Sequence, residues 1–228
     1  MAHLAKILFR HKSSILNSQK FLPSTKLGNS VSEIKSWTSV GGAWENWNNS
    51  VMNKVDHHRI SVVGPDRGCA EWLLKCGAKV KWKGLSHWEK DYNLLPGGNF
   101  KNYKIEEIDA TNSIIMNEGM VHLRGLKDVN KIIFHECKYF NDESIVYLTW
   151  IKKSLQHLQI SKCEHVTAEG LNGLSAYKNL KTLKLFQLSK VKSPENCYKL
   201  LTKELPDCDI EYGEVTGSDQ STKQQNGG

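Results

Sequence analysis

A pattern of apolar residues recurs about every 25 residues through the second half of the chain. Each copy reads apolar-x-x-apolar-x-apolar-x-x-Cys, or a substitute for Cys, and a second apolar cluster follows. The clearest copy begins at Leu155 and continues through Leu158, Ile160 and Cys163. The other copies begin at Ile105, Val129 and Leu180. A period of this length is typical of stacked units that share one continuous core.

The spacing is that of leucine-rich repeats, in the variety that carries Cys where others carry Asn. Such repeats bury one side of each short strand and display the other side as a binding surface. We therefore predict an α/β fold: a short leucine-rich-repeat solenoid of the Cys-containing type with an N-terminal helical cap. The repeats are predicted over about 79–104, 105–128, 129–154, 155–179 and 180–208, within a domain of 79–212. This architecture indicates recognition before it indicates catalysis.

The predicted cap covers residues 41–78. Four apolar residues recur at helical spacing and predict an amphipathic helix over 43–57 that packs against the first turn of the repeats. These residues are Trp44, Trp47, Val51 and Val55. A partner anchor is the alternative role for the two tryptophans.

A second helix is predicted after Gly64. Pro65 and Asp66 provide favourable helix-start chemistry, and Gly77 is a typical stop. Val80 and Trp82 then alternate with lysines and predict a short strand. Residues 84–104 are predicted to form a longer crossover with helical character.

The positive charge is concentrated at the N-terminus. Five cations and no acid lie between Met1 and Ser32, so the formal net charge of +7 leaves +2 on the remainder. This segment is rich in serine and has an apolar helical face, which predicts a mitochondrial presequence and linker over 1–40, with a disordered basic tail as the alternative. The tail of 213–228 is predicted to be disordered. No apolar run approaches the ~20 residues that span a bilayer.

The cysteine pattern excludes a disulfide framework. The six cysteines form no C-x-x-C pair, and a reducing compartment would keep them as thiols. Cys137 and Cys163 occupy the Cys position of the repeat, where a small apolar group packs inside the turn. We predict a structural role for both.

The exposed strand positions define a predicted partner-binding face. Stacked copies place Glu107, Lys131, His157 and Thr182 in one row. A second row holds Asp109, Ile133, Gln159 and Lys184, and a third holds Thr111, His135, Ser161 and Phe186. Because a solvated surface rarely carries residues such as Ile133 and Phe186, this face favours a protein partner. The predicted contact residues are Lys131, Ile133, His135, His157, Gln159, Ser161, Lys184 and Phe186. Its mixed charge argues against nucleic acid.

Enzyme signatures are absent from the sequence: it has no phosphate-binding glycine loop, nucleophile elbow or zinc-protease motif. His57 and His58 are adjacent and would point in different directions on a helix, which makes them a poor metal pair. Gly77 ends a helix where carbonyl groups concentrate negative charge, and Asp109 to Asn112 lie on the adjacent strand and its exit turn. Hard cations such as Mg²⁺ accept carbonyl oxygens and water, so this place is a candidate cation site.

Several blocks of the sequence resemble the mitochondrial coupling factor B (ATP synthase subunit s) family. They are 53–60 (NKVDHHRI), 63–67 (VGPDR), 71–78 (EWLLKCGA) and 90–93 (KDYN). The likeness continues through 103–105, 108–111 and the Cys163 repeat, and it covers roughly 44–212.

The resemblance implies a protein on the matrix side of the mitochondrial inner membrane, peripheral to that membrane. It implies association with the membrane sector of ATP synthase, where such a protein blocks a proton leak and couples proton flow to ATP synthesis. It implies no catalysis, no small-molecule substrate and no nucleic-acid partner. It also implies a magnesium site at Gly77 and Thr111, so magnesium is the expected cofactor.

One departure concerns the thiols. The family pattern has a C-x-C dithiol where this chain has His135-Glu136-Cys137. Cys137 is therefore the one residue left for a redox role, and no dithiol switch is predicted.

Three other functions remain open at the level of sequence. A related family assembles the distal membrane arm of respiratory complex I. It shares the block at 64–67, with Asp or Glu at its third position, although the match at 53–60 favours coupling factor B. A ubiquitin-ligase receptor would require an F-box, which 43–77 does not resemble. A metal-dependent enzyme would require a base or nucleophile beside the cation.

Overall fold

The structure is a computed structural model that describes residue 42 and residues 45–213. By its contacts the chain divides into two units, of which the second is Trp44–Gly228. This unit is a mixed α/β structure with a six-stranded sheet, which confirms the predicted α/β class. The predicted presequence of 1–40 and the tail after Gly213 lie outside the described residues, as does Trp44.

Within residues 45–213, three helices precede the sheet: α1 over residues 45–53, α2 over His57–Val63 and α3 over Pro65–Lys75. Helix α3 has the predicted start and end, and Gly77 after it has a φ of +85°, which favours glycine. The single helix predicted over 43–57 is wrong at its C-terminal end. Asp56 instead caps α2, because its carboxylate accepts a hydrogen bond from the Arg59 N–H at 2.8 Å.

Helix α1 is turned opposite to the sequence prediction. Trp47 is 58% exposed and Val51 is 49% exposed, whereas Asn49 and Asn53 are buried. The apolar period therefore predicts the helix correctly, but the side of α1 that packs is the side of Asn49 and Asn53. The cause is hydrogen bonding by the asparagines, which fixes α1 through polar contacts.

Asn53 joins three parts of the molecule. Its Nδ2 donates to the carbonyl oxygens of Asn49 and Ile114, both at 2.8 Å. Its Oδ1 accepts from the Met116 N–H at 2.9 Å and from Trp72 Nε1 at 3.2 Å. Both donors and both acceptor positions of the amide are thus used. The side chain connects α1 to α3 and to the loop after the second strand.

The conspicuous Gly-Pro-Asp-Arg block also has a structural role. The Asp66 carboxylate accepts from the Ile105 N–H at 3.1 Å and from Lys104 Nζ at 2.9 Å. Arg67 binds the Pro96 carbonyl and pairs with Glu71 at 2.9 Å. The block therefore holds the crossover and the start of the second strand against α3.

The strands lie side by side in chain order, with the first pair antiparallel and the others parallel. They are β1 Lys79–Trp82, β2 Ile105–Asp109, β3 Lys131–His135, β4 His157–Ser161, β5 Thr182–Phe186 and β6 Asp209–Gly213. The sequence predicted β1 and the four strands of the repeats. It missed β6, although Asp209 to Tyr212 alternate polar and apolar residues as an edge strand does.

The strands β2 to β5 begin 25 or 26 residues apart, and alternate side chains of each are buried in one core. At the end of each of these strands the chain turns through a residue with a φ of 51–56°, at Asn112, Glu136, Lys162 and Gln187. Non-glycine residues rarely adopt this conformation. Here it lets the N–H groups of Glu136 and Lys162 donate to the next strand, at 3.0 and 3.1 Å. The turn is therefore a repeated feature of the stack.

Helices return the chain on the core side of the sheet. They are α4 Asp142–Tyr147, α5 Ala168–Asn172 and α6 Pro194–Glu204, with 3-10 turns at Asn117–Leu123, Leu148–Ile151 and Gly173–Ala176. The crossover between β1 and β2 carries two further 3-10 turns, Tyr92–Leu94 and Phe100–Asn102.

Cys137 and Cys163 lie fully buried beneath the turns that follow β3 and β4. Their thiols donate to the carbonyl oxygens of Ala110 at 2.9 Å and Ser161 at 3.4 Å. All six cysteines are free thiols.

Replacing Asn53 tests the connection between α1, α3 and β2. Asn53→Ala leaves the Met116 and Trp72 N–H groups and the Ile114 carbonyl without their partner, so the free energy of unfolding should fall by about 3 kcal/mol. Urea denaturation followed by circular dichroism measures this change. Asn48→Ala on the same helix removes none of these bonds and should change stability by about 0.5 kcal/mol or less. Equal losses for the two variants would contradict the assignment.

Candidate partner-binding face

Alternate side chains of β2 to β5 point away from the core and form what we call the outer face. Strand pairing places Lys131, His157 and Thr182 abreast in one row. The next rows are Asp109, Ile133, Gln159 and Lys184, and then His135, Ser161 and Phe186. The rows derived from sequence spacing are thus present in the pairing, with Thr111 just beyond the paired part of β2. The eight predicted contact residues all lie on this face, although Ser161 is itself buried.

The charges of the outer face are paired at its two flanks. On one flank Lys79 Nζ lies 3.0 Å from Asp109, and Glu107 lies 2.8 Å from Lys81 and 3.2 Å from Lys131. On the other flank Lys184 Nζ lies 2.7 Å from Glu211. The sequence prediction of the face omitted Lys79, Lys81 and Glu211. Their alternation with buried Val80 and Trp82, and with Ile210, was the signal that could have placed them there.

The centre of the outer face carries histidine, hydroxyl, amide and apolar side chains between the two charged flanks. His135 Nδ1 lies 2.8 Å from Ser161 Oγ, which also accepts a hydrogen bond from Gln159 Nε2 at 3.0 Å. His157 Nδ1 lies 2.8 Å from Thr182 Oγ1. Ile133 and Phe186 are half-buried within this region. A neutral centre with paired charges around it resembles the anatomy of protein–protein interfaces.

The paired lysines perturb the acids of the outer face. Partial burial alone would raise the pKa of Glu107, but hydrogen bonds from Lys81 and Lys131 hold the pKa below its ordinary value. For Asp109 the same opposition applies: burial raises the pKa, and the bonds from Thr111 and Lys79 lower it by more. Both carboxylates are therefore ionised at neutral pH and committed to partners within the chain.

The pair His135 and Ser161 has the contact expected of a general base and a nucleophile. Glu136 Oε1 lies 3.6 Å from the other ring nitrogen of His135. However, Ser161 is 2% exposed, and its oxygen already contacts two side chains. A nucleophile must approach its substrate to within about 3–3.5 Å, which this burial prevents. His135, Ser161 and Gln159 therefore act as a polar network within the sheet.

Gly77 and Thr111 lie at the same end of the β1–β2 pair, since each is two residues beyond the pair Lys79 and Asp109. The nearby carboxylate of Asp109 accepts bonds from the Thr111 hydroxyl at 2.6 Å and its N–H at 3.0 Å, and it pairs with Lys79. Protein sites for Mg²⁺ generally use one or two carboxylates besides water. The Asp109 carboxylate is already neutralised by the ammonium group of Lys79, so these residues fit a magnesium ion poorly. Within residues 45–213 no three His, Cys, Asp or Glu side chains are grouped to hold a metal.

Cys137, the one redox candidate, is fully buried. The residue two positions before it is His135 on the outer face, so no second thiol stands at the position of the family's dithiol.

Comparison with known proteins gives close relatives over most of the chain. It is 46% identical over 170 residues to ATP synthase subunit s, mitochondrial, of Rattus norvegicus, which covers 73% of this chain and 84% of the relative. The human protein of the same name is 38% identical over 194 residues, covering 83% of this chain and 97% of the relative. Distal membrane arm assembly component 2 of Drosophila melanogaster is 28% identical over 148 residues, which cover 61% of this chain and 52% of the relative. No protein-family model matches the chain.

The chain is thus a mixed α/β protein, and relatives named ATP synthase subunit s match 73–83% of its length. It belongs to the ATP synthase subunit s (coupling factor B) family.

The paired carboxylate of Glu107 should make stability depend on pH in the acid range. A lowered pKa contributes stability that is complete above the ordinary value of 4.5 and is lost as the pH falls through the folded-state pKa. Glu107→Gln should therefore cost about 1 kcal/mol at pH 7, and the difference from the wild type should vanish near pH 2. Thermal unfolding across this pH range measures the difference. Exposed Glu118→Gln is the control, and a difference for Glu107→Gln that stays constant with pH would contradict the ion pairing.

Proposed function

We propose that the protein is a non-catalytic mitochondrial protein that associates with the membrane sector of ATP synthase and supports coupled proton conduction by blocking a proton leak. The observation that carries this proposal is the identity of 46% with a protein named ATP synthase subunit s, across 84% of that relative. The outer face supports a docking role, because its neutral centre and paired flanks suit a protein partner. The polar network of His135 and Ser161 supports a non-catalytic reading, because its hydroxyl is buried.

We also propose that the fold is a leucine-rich-repeat solenoid of the Cys-containing type, closed by α1 to α3 as an N-terminal cap. The support is the spacing of 25 or 26 residues between strands and their parallel pairing. Buried Cys137 and Cys163 at equivalent positions add to it. End repeats of a solenoid expose core unless a further element covers them, and α3 with β1 covers β2 in this way.

The proposed location is the matrix side of the mitochondrial inner membrane, with the protein held at the surface of that membrane. The names of the relatives support the mitochondrion. Among the described residues, no helix is both long enough and apolar enough to cross a bilayer.

Association with ATP synthase should depend on the centre of the outer face. Ile133→Asp combined with Phe186→Asp places charge where the proposed partner packs, so ATP synthase subunits should no longer co-purify with the tagged protein from mitochondria. Val62→Asp is the matched control, because Val62 is 62% exposed on α2 and away from the sheet. Circular dichroism verifies that each variant is folded. Unchanged co-purification by the double variant would remove the outer face from the proposal.

A second candidate function is assembly of the membrane arm of respiratory complex I. The relative named distal membrane arm assembly component 2 favours it, at 28% identity over 61% of this chain. The same purification discriminates the two functions, since recovery of complex I subunits in place of ATP synthase subunits favours assembly. Depletion followed by profiling of intact complexes gives a second distinction: loss of the complex I membrane arm with coupled ATP synthesis preserved supports the assembly role.

Magnesium at Gly77 and Thr111 stays a prediction from the resemblance. An ion there would compete with the Lys79 ammonium for Asp109, so Lys79→Met should strengthen binding. Mg²⁺ should then raise the Tm of the wild type slightly and that of Lys79→Met more, because a ligand of the folded state stabilises it by mass action. Thr111→Val removes the hydroxyl and should abolish both effects. A Tm that does not respond to Mg²⁺ in the wild type or in Lys79→Met would exclude the site.

A further inference from the structure

Basic side chains gather along the edge of the sheet where the parallel strands begin. The chain enters β3, β4, β5 and β6 through residues 124–130, 152–156, 177–181 and 203–208, and these carry seven basic and three acidic side chains. We call the seven the basic edge: Arg124, Lys127, Lys152, Lys153, Lys178, Lys181 and Lys203. All seven are exposed.

Stacking of the strands aligns part of the basic edge. Lys127, Lys153 and Lys178 each lie four residues ahead of one row of paired strand residues, Lys131, His157 and Thr182. Neighbouring strands are about 4.8 Å apart, so the three lysines follow one another closely along the edge. A direct contact between the layers supports this, because Asn179 Nδ2 donates to the Lys153 carbonyl at 2.9 Å.

The acids of this edge neutralise little of its charge. Asp128 is paired with Lys83, and Glu204 lies 3.3 Å from Lys178. Within residues 45–213 no ion pair joins Lys127, Lys152 or Lys153 to an acid. The positive charge in the middle of the edge is therefore available to a partner.

Two exposed apolar side chains precede Lys152 and Lys153 in the chain. Trp150, three residues before Lys153, is 38% exposed. The centroid of its ring lies 5.2 Å from that of Tyr147. Val146 on α4 is 65% exposed. Tryptophan with its amphipathic ring, flanked by lysines, is the composition that rests in the headgroup layer of a bilayer. A nucleic-acid surface would not need the exposed valine.

We infer that the basic edge binds the anionic headgroups of a phospholipid bilayer, with Trp150 and Val146 at the headgroup boundary. Polybasic segments bind such surfaces by charge, and each added lysine strengthens the attraction. This interaction is separate from docking through the outer face. It is tested with lipid alone, so its failure would leave the proposed association with ATP synthase intact.

The test is lysine footprinting of the full chain with an amine-acetylating reagent, read by mass spectrometry. The probes are vesicles of phosphatidylcholine alone and of an equimolar mixture of phosphatidylcholine and phosphatidylglycerol. The mixed vesicles should protect Lys127, Lys152 and Lys153 by about tenfold in acetylation rate, whereas Lys138, Lys190 and Lys192 at the opposite edge should react as before. The footprint is position-specific, so cations within residues 1–32 that also attract anionic vesicles do not obscure it.

Matched variants test the same point by affinity. The triple variant Lys127→Gln, Lys152→Gln and Lys153→Gln should lower partition onto mixed vesicles by about a hundredfold. The control triple variant Lys138→Gln, Lys190→Gln and Lys192→Gln should lower it far less. Equal losses would show attraction by net charge alone and would overturn the inference. The inference would also be overturned if the chain bound the mixed vesicles without protection of the lysines of the basic edge from acetylation. Protection of these lysines by a DNA duplex, but not by mixed vesicles, would overturn it as well.

Discussion

In-register pairing of strands that begin 25 or 26 residues apart is the constraint on which the rest of the structure depends. It brings equivalent positions of successive units to about 4.8 Å from one another. A charge, a thiol or an apolar group therefore faces its equivalents along a row. The pair between Glu107 and Lys131, the buried Cys137 and Cys163, and the aligned Lys127 and Lys153 all follow from this single register.

A stack of this kind must be closed at its first strand, and polar contacts carry much of that closure. Asn53 satisfies groups from α3 and from the loop after β2, while Asp66 and Glu71 hold the crossover in place. Buried polar groups of this type are costly when unpaired and specific when paired. This accounts for the conspicuous Gly-Pro-Asp-Arg block as a structural element.

The strands, the rows of the outer face and helix α3 could be predicted, because each depends on local period or on capping chemistry that the sequence displays. The orientation of α1 could not. Its apolar residues Trp47 and Val51 have the helical period, but the side that packs is decided by partners of Asn53 some 60 residues away, such as Ile114. The contact of His135 with Ser161 likewise depends on register between two units. The positions of Lys79 and Lys184 on the outer face could be predicted from the sequence, since both residues alternate with buried neighbours.

Docking of ATP synthase on the outer face is the central functional claim, and Gln159 lies in the middle of that face. The most direct measurement places a photo-crosslinking amino acid at position 159 and identifies its products in mitochondria by mass spectrometry. The same probe at position 118, on the helical side, is the comparison. Crosslinks from position 159, and not from 118, to membrane-sector subunits of ATP synthase are the predicted result. Crosslinks from position 159 to complex I subunits instead, or to no protein, would contradict it.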